Sequence, residues 1–323
     1  MFPYLLILFF VVSWITLEQN VLERKSFWIP LTALASFSGI RDFHVGTDSR
    51  TYVRSFINNF DAEYYEFDKN IEFGYQLLEY ILLSLKVNYF WLFFVTSLLI
   101  VYCYLKIIKI YSVNYVFSVF LFITLGTYTF FFNGLRQGLA MAILVLATPY
   151  LLNKKLIPYL LTCFLASLFH ISVLFAIPFY FLVNLKIKII YKITLAFIIS
   201  LVSSSFLVSY FASINERYQT YADVSEKSGG LLTLGFYAIL VIFIYGVIHI
   251  YKIKDEFFNK LFIFYASGVI FMLPIALLST NPSGPQRLLN YFTWTLILLL
   301  PVVFKKINNK YISVSFVIIA IIY

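Results

Sequence analysis

The spacing of the hydrophilic breaks constrains this chain more than any other feature. They divide it into about 12 apolar runs, near 2–17, 27–39, 88–107, 114–131, 134–152, 156–169, 171–185, 190–211, 231–251, 257–279, 288–304 and 311–323. With 62% of 323 residues hydrophobic and 12% charged, no water-soluble domain needs so much apolar surface, so the solvent is lipid. The expected fold is an all-α integral membrane protein, one polytopic domain over 1–323 with about 12 transmembrane or partly spanning helices. Several runs fall short of the roughly 20 residues of a full crossing, the pair flanking His170 and the last run among them. The first run has neither a basic leader nor a small-residue cleavage site and reads as a retained helix. Cys103 and Cys163 both fall inside apolar runs, which argues against a disulfide framework or a metal cluster.

The breaks alternate in character. One set is rich in lysine and carries 15 of the 24 basic residues with only Glu18, Glu23, Asp255 and Glu256 as acids. By the positive-inside rule this set is cytoplasmic, which places loops 40–87, 212–230 and 280–287 outside. The net charge of +9 is thereby a matter of topology; no basic stripe interleaved with exposed aromatics speaks for a nucleic acid partner. Arginine runs the other way, since six of seven (Arg41, Arg50, Arg54, Arg136, Arg217 and Arg287) fall on the outward set. Guanidinium is the better group for planar, bidentate recognition of carboxylate and phosphate, so the outer face looks built to hold an anion.

Within that outer set the stretch 41–56, RDFHVGTDSRTYVRSF, predicts a turn at Gly46 and a helix with Thr47 or Asp48 as N-cap. Arg50 and Arg54 then share a face at i, i+4, with Tyr52 between them. A solvated loop with capping acids is the plain alternative, and His44 stays undecided. The acidic, aromatic stretch 61–72 precedes a helix expected over 74–86, lying at the outer interface with Gln76 and Glu79 on a separate face from its apolar residues. The Asn133-Gly134 turn leads into Arg136 and Gln137 at the start of an apolar run, where a charge marks either a polar site or a snorkelling side chain. His170 falls at the tip of an apolar hairpin on the same side, whereas His249 lies at a cytoplasmic helix end and reads as structural. The outer loop 211–230 brings Arg217 and a Ser-Gly-Gly hinge and could gate a substrate or merely connect. Arg287, followed by Asn290 and Tyr291, repeats the placement of Arg136. Two arginines at the starts of inward-going helices would share the N-terminal dipoles in gripping an anion.

Four short motifs in order, VGTDSRTY, FNGLRQGLAMAI, FHISVLFAIPFYFL and QRLLNYF, resemble the EpsG/Wzy family of bacterial O-antigen, capsule and exopolysaccharide repeat-unit polymerases. The resemblance implies an architecture similar to C-type glycosyltransferases and ligase-polymerases. It also implies an activity: transfer of a glycan from undecaprenyl pyrophosphate onto an incoming lipid-linked repeat unit, at the outer face of the bacterial cytoplasmic membrane. It further implies independence of metal, no cofactor, membrane lipid as surroundings and a possible chain-length regulator as partner. The leaving pyrophosphate needs cationic donors, for which Arg136 and Arg287 are expected, with Arg50 or Arg54 as a third contact. His170 and Asp48 both remain open as the base for the acceptor hydroxyl. Gln137, Tyr52, Asn133, Tyr291 and Arg217 complete the expected substrate-binding set. A lipid-linked glycan flippase and a membrane acyltransferase are the competing readings; no internal repeat or midplane charge favours the former.

Overall fold

The computed structural model describes residues 2–59, 62–214, 230–278 and 284–322. In chain order its helices begin with α1 (Phe2–Val21), α2 (Trp28–Gly39), α3 (Ser49–Asn58), α4 (Phe73–Ser84), α5 (Tyr89–Tyr111), α6 (Tyr115–Thr124), α7 (Thr127–Asn133), α8 (Leu135–Val145) and α9 (Thr148–Leu152). They continue with α10 (Leu156–Ser167), α11 (Ile177–Asn184), α12 (Ile189–Ile214), α13 (Gly230–Ile250), α14 (Glu256–Leu277), α15 (Asn290–Thr293), α16 (Leu296–Ile307) and α17 (Lys310–Ile322). Tight 3-10 turns at Ile171–Ala176 and Pro285–Leu289 precede α11 and α15. No strand occurs among the described residues.

Six helical stretches are long and apolar enough to cross a membrane. A seventh is added if Pro285–Thr293 and Leu296–Ile307, bent at 48°, make one span. The expectation of about 12 therefore resolves into these crossings and a set of shorter apolar helices. The run 134–152 shows one reason. It breaks between α8 and α9, where the Thr148 hydroxyl donates to the Val145 carbonyl at 2.6 Å and Pro149 has no N–H to continue the ladder.

In lipid the driving force for helix association is packing and interhelical hydrogen bonding. Hydroxyl groups accordingly reach across to backbone carbonyls: Tyr128 to Leu34 at 2.7 Å, Ser118 to Ile297 at 2.6 Å and Tyr265 to Tyr237 at 2.7 Å. The α14 helix lies at the centre, 83% buried over its apolar window, whereas α1 and α12 are 22% buried and face outward with side chains such as Phe9 and Val202.

The two kinds of break gather separately. The Lys25 ammonium donates to the Lys109 carbonyl, Lys260 donates to Leu152, and Lys154 pairs with Glu256, joining lysine-rich breaks to one another in two groups. Cations there meet the carbonyl ends of helices, the favourable pole of the helix dipole. Among the described residues, the breaks that carry Asp48 and Glu72 meet Arg287 and Arg136 instead.

Candidate functional site

The loop before α3 is the foundation of the arginine end. Gly46 has φ +102°, and a Cβ at this position would lie 2.3 Å from the Phe132 carbonyl oxygen, so only glycine lets the loop settle on the end of α7. Next to it the Thr47 N–H donates to Asn133 Oδ1 at 2.8 Å, and the Ser49 hydroxyl donates to the Phe132 carbonyl at 2.9 Å. Asp48 is the N-cap residue of α3, as expected, but its carboxylate does not cap the helix. It accepts instead from Arg287 NH1 at 3.0 Å.

The α4 helix buries a mixed face, on which Gln76 and Glu79 lie with Tyr75, Leu82 and Leu83, contrary to the expected separation of polar from apolar residues. Gln76 and Glu79 are buried, while Leu77, Tyr80 and Ile81 are exposed. Gln76 accepts from the Asp68 N–H and donates to the carbonyls of Asp68 and Ile71, tying down the loop that ends in Glu72. Glu79 accepts from the Tyr65 hydroxyl at 2.8 Å, and burial pushes its carboxyl above the ordinary range. At the start of the helix the Gly74 N–H donates to the Leu168 carbonyl at 2.7 Å, and a Cβ here would strike the same oxygen at that distance. This close approach brings Glu72 against the hairpin tip that carries His170.

Glu72 is the residue that sequence reasoning missed. Its Oε2 accepts from Arg136 NH1 at 2.5 Å, and its Oε1 accepts from the Ile171 N–H at 3.3 Å and lies 3.9 Å from His170 Nδ1. The only signal was an acid directly before an apolar-periodic helix, which is also what an ordinary cap looks like. Ser172 was missed as well. Its hydroxyl contacts His170 Nδ1 at 2.9 Å and the Tyr291 hydroxyl at 2.8 Å, linking the tip to α15.

His170 lies in the break between α10 and the following 3-10 turn, outside the spanning helices. Burial pushes its pKa down to about 4; Glu72 opposes this, and Arg136 and Arg287 add to it. The imidazole thus feels both guanidinium groups and is neutral at pH 7. The Ser172 N–H donates to Nδ1 at 3.3 Å, so the ring proton belongs on Nε2, which then acts as a donor.

Arg136, His170, Arg287 and Asp48 are therefore brought together, with Tyr52 beside Arg136 and its ring tilted at 58° to that of Tyr75, centroids 5.7 Å apart. Gln137 donates to the Arg287 carbonyl at 2.9 Å, as does Asn290 at 3.1 Å, so both hold the backbone that carries the guanidinium. Asn133 holds the Thr47 loop in the same way. Arg50 and Arg54 are exposed on α3 and join none of these contacts. The expectation of two helix N-termini also needs correcting: Arg136 is in the first turn of α8, but Arg287 is on a five-residue 3-10 turn before the four-residue α15. Arg41 is buried between the rings of Phe93 and Phe132, 3.6 and 4.4 Å from their centroids, and serves packing. His44 is exposed and pairs with Asp42 at 2.6 Å, and His249 packs on Tyr245. Arg217 lies outside the described residues. Among the described residues, no three His, Cys, Asp or Glu side chains come together as a metal site requires.

A helical, multi-pass membrane protein that gathers two arginine–carboxylate pairs and a neutral histidine at one end is the class this geometry defines. The chain belongs to the EpsG family, whose model matches residues 24–323. Membership makes it a polymerase-like membrane protein of the exopolysaccharide and O-antigen kind, glycosyltransferase-like in general terms. No curated protein and no solved structure matches the chain.

Proposed function

We propose that this protein is a Wzy-type polymerase of the bacterial cytoplasmic membrane. It transfers a glycan from undecaprenyl pyrophosphate to an incoming lipid-linked repeat unit at the outer face. The observation that carries the reading is that Arg136 pairs with the Glu72 that lies 3.9 Å from His170, while Gln137 beside it holds the backbone of Arg287, 151 positions after Arg136 in the chain. In the reaction the bond from the sugar C1 to the pyrophosphate oxygen breaks, and a bond from C1 to the acceptor hydroxyl oxygen forms. The pair of electrons leaves with the pyrophosphate, where fixed guanidinium donors stabilise the developing charge without a metal. The neutral His170 Nε2–H adds a donor to a phosphate oxygen. The carboxylate of Glu72, bound by Arg136 and the Ile171 N–H, holds that guanidinium in place. Asp48 is the more exposed carboxylate of the two, at 34% against 12%, and takes the acceptor proton.

The test is polymerisation by purified protein with lipid-linked repeat units. Arg136→Ala and Arg287→Ala should each lower the rate by about 10²-fold or more, the typical loss for one preorganised oxyanion donor. Polymer of wild-type length and rate from both variants would remove the pyrophosphate assignment. A wild-type rate from Asp48→Asn would move the base elsewhere.

A further inference from the structure

Tyr291 was expected among the substrate-binding residues, but its side chain is fully buried and its hydroxyl meets the Ser172 hydroxyl at 2.8 Å. Ser172 in turn lies 2.9 Å from His170 Nδ1. Each hydroxyl owns a single proton, so one fixed end sets the direction of the whole chain. That end is the Ser172 backbone N–H, which can only donate and which is 3.3 Å from Nδ1. Nδ1 is therefore the bare nitrogen, and the Ser172 hydroxyl gives its proton to it. With that proton committed, the Ser172 oxygen can only accept, and the Tyr291 hydroxyl is the donor. Glu72 acts against this order. Its Oε1 lies 3.9 Å from the same Nδ1, beyond hydrogen-bond reach, and a carboxylate there favours a proton on the nitrogen that faces it. The two influences pull the ring proton to opposite nitrogens.

We infer that Ser172 and Tyr291 are positioning residues: their hydroxyls form a one-way relay, from Tyr291 through Ser172 to His170 Nδ1, that keeps the ring proton on Nε2 against the pull of Glu72. The relay starts on α15, directly after the turn that carries Arg287, and ends at the hairpin tip that Glu72 joins to Arg136. The state of the imidazole is thus tied to the seating of both guanidinium-bearing elements. Its part in the reaction rests on the polymerase reading: Nε2–H is the donor offered to a phosphate oxygen, and a proton on Nδ1 would leave a lone pair there in its place. The tautomer itself does not depend on that reading and is measured without turnover.

The experiment uses the full chain in lipid bilayers at neutral pH, labelled with 13C and 15N in its three histidines, and reads the protonated ring nitrogen by magic-angle-spinning NMR. The His170 signals are those missing from His170→Gln. Wild type should carry the proton on Nε2. Ser172→Ala and Tyr291→Phe should each shift the ratio of tautomers towards Nδ1–H by about tenfold or more, the upper end of what one lost hydrogen bond gives. The polymerisation rate of each variant should follow its remaining Nε2–H fraction. A wild-type ring protonated on Nδ1 overturns the inference, as does an unmoved tautomer in both variants. A lower rate and a lower unfolding temperature at an unmoved tautomer would mean that the hydroxyls only pin the tip to α15. If one variant fails to fold, the spectrum of the other decides. Tautomers that move while the rate does not would remove Nε2–H from the proposed reaction and leave the relay standing.

Discussion

At the residue scale, a guanidinium next to a membrane segment is held in place only if its charge is answered, and the answering group decides where it points. Arg136 and Arg287 could be picked out from the sequence because arginine on the outward breaks runs against the positive-inside preference. Glu72 could not, because a carboxylate before a helix is ordinary. His170 was legible as a site residue, but its state was not, since burial and two nearby cations are properties of the assembled site. That state makes a pH prediction. The folded pKa of about 4 lies below the unperturbed 6.5, so between these values the unfolded chain binds the proton more readily. The stability and the neutral donor are fully present above pH 6.5 and are lost as pH falls through about 4. A pH–rate profile should therefore show no histidine-like loss near pH 6.5, and a step with its midpoint there that vanishes in His170→Gln would refute the assignment.

At the element scale, α4 carries the clearest lesson. A helix over 74–86 was expected from its periodicity, and one is found at Phe73–Ser84. Which face turns inward is not contained in that periodicity. In water all the apolar residues would seek the core, but at a lipid surface Leu77, Tyr80 and Ile81 can stay outside while Gln76 and Glu79 join Tyr75, Leu82 and Leu83 within the protein. Gln76 uses this arrangement to satisfy three backbone groups of the loop leading to Glu72. Gln76→Leu should cost about 1–3 kcal/mol for each group left unpaired, read as a lower unfolding temperature in detergent, and should lower the polymerisation rate although Gln76 is outside the arginine cluster. A destabilised variant with wild-type turnover would mean that the loop does not position Glu72.

For the whole molecule, the separation of lysine-rich from arginine-bearing breaks gives a test of orientation. Cys103 and Cys163 are free and buried, so introduced thiols can be read against a low background. Arg54→Cys, exposed at the arginine end, should react with a membrane-impermeant maleimide on intact cells, while Lys154→Cys should react only after permeabilisation. Labelling of both from the same side would overturn the two-ended arrangement. The sequence alone determined that lipid is the solvent, that the breaks alternate and that the arginines concentrate on one set of them, because hydropathy and charge are properties each segment has by itself. The tertiary structure alone decided the pairings of Arg136 with Glu72 and Arg287 with Asp48, across 64 and 239 positions. Partners that far apart are chosen by how helices cross and where loops dock, and no local pattern encodes that choice.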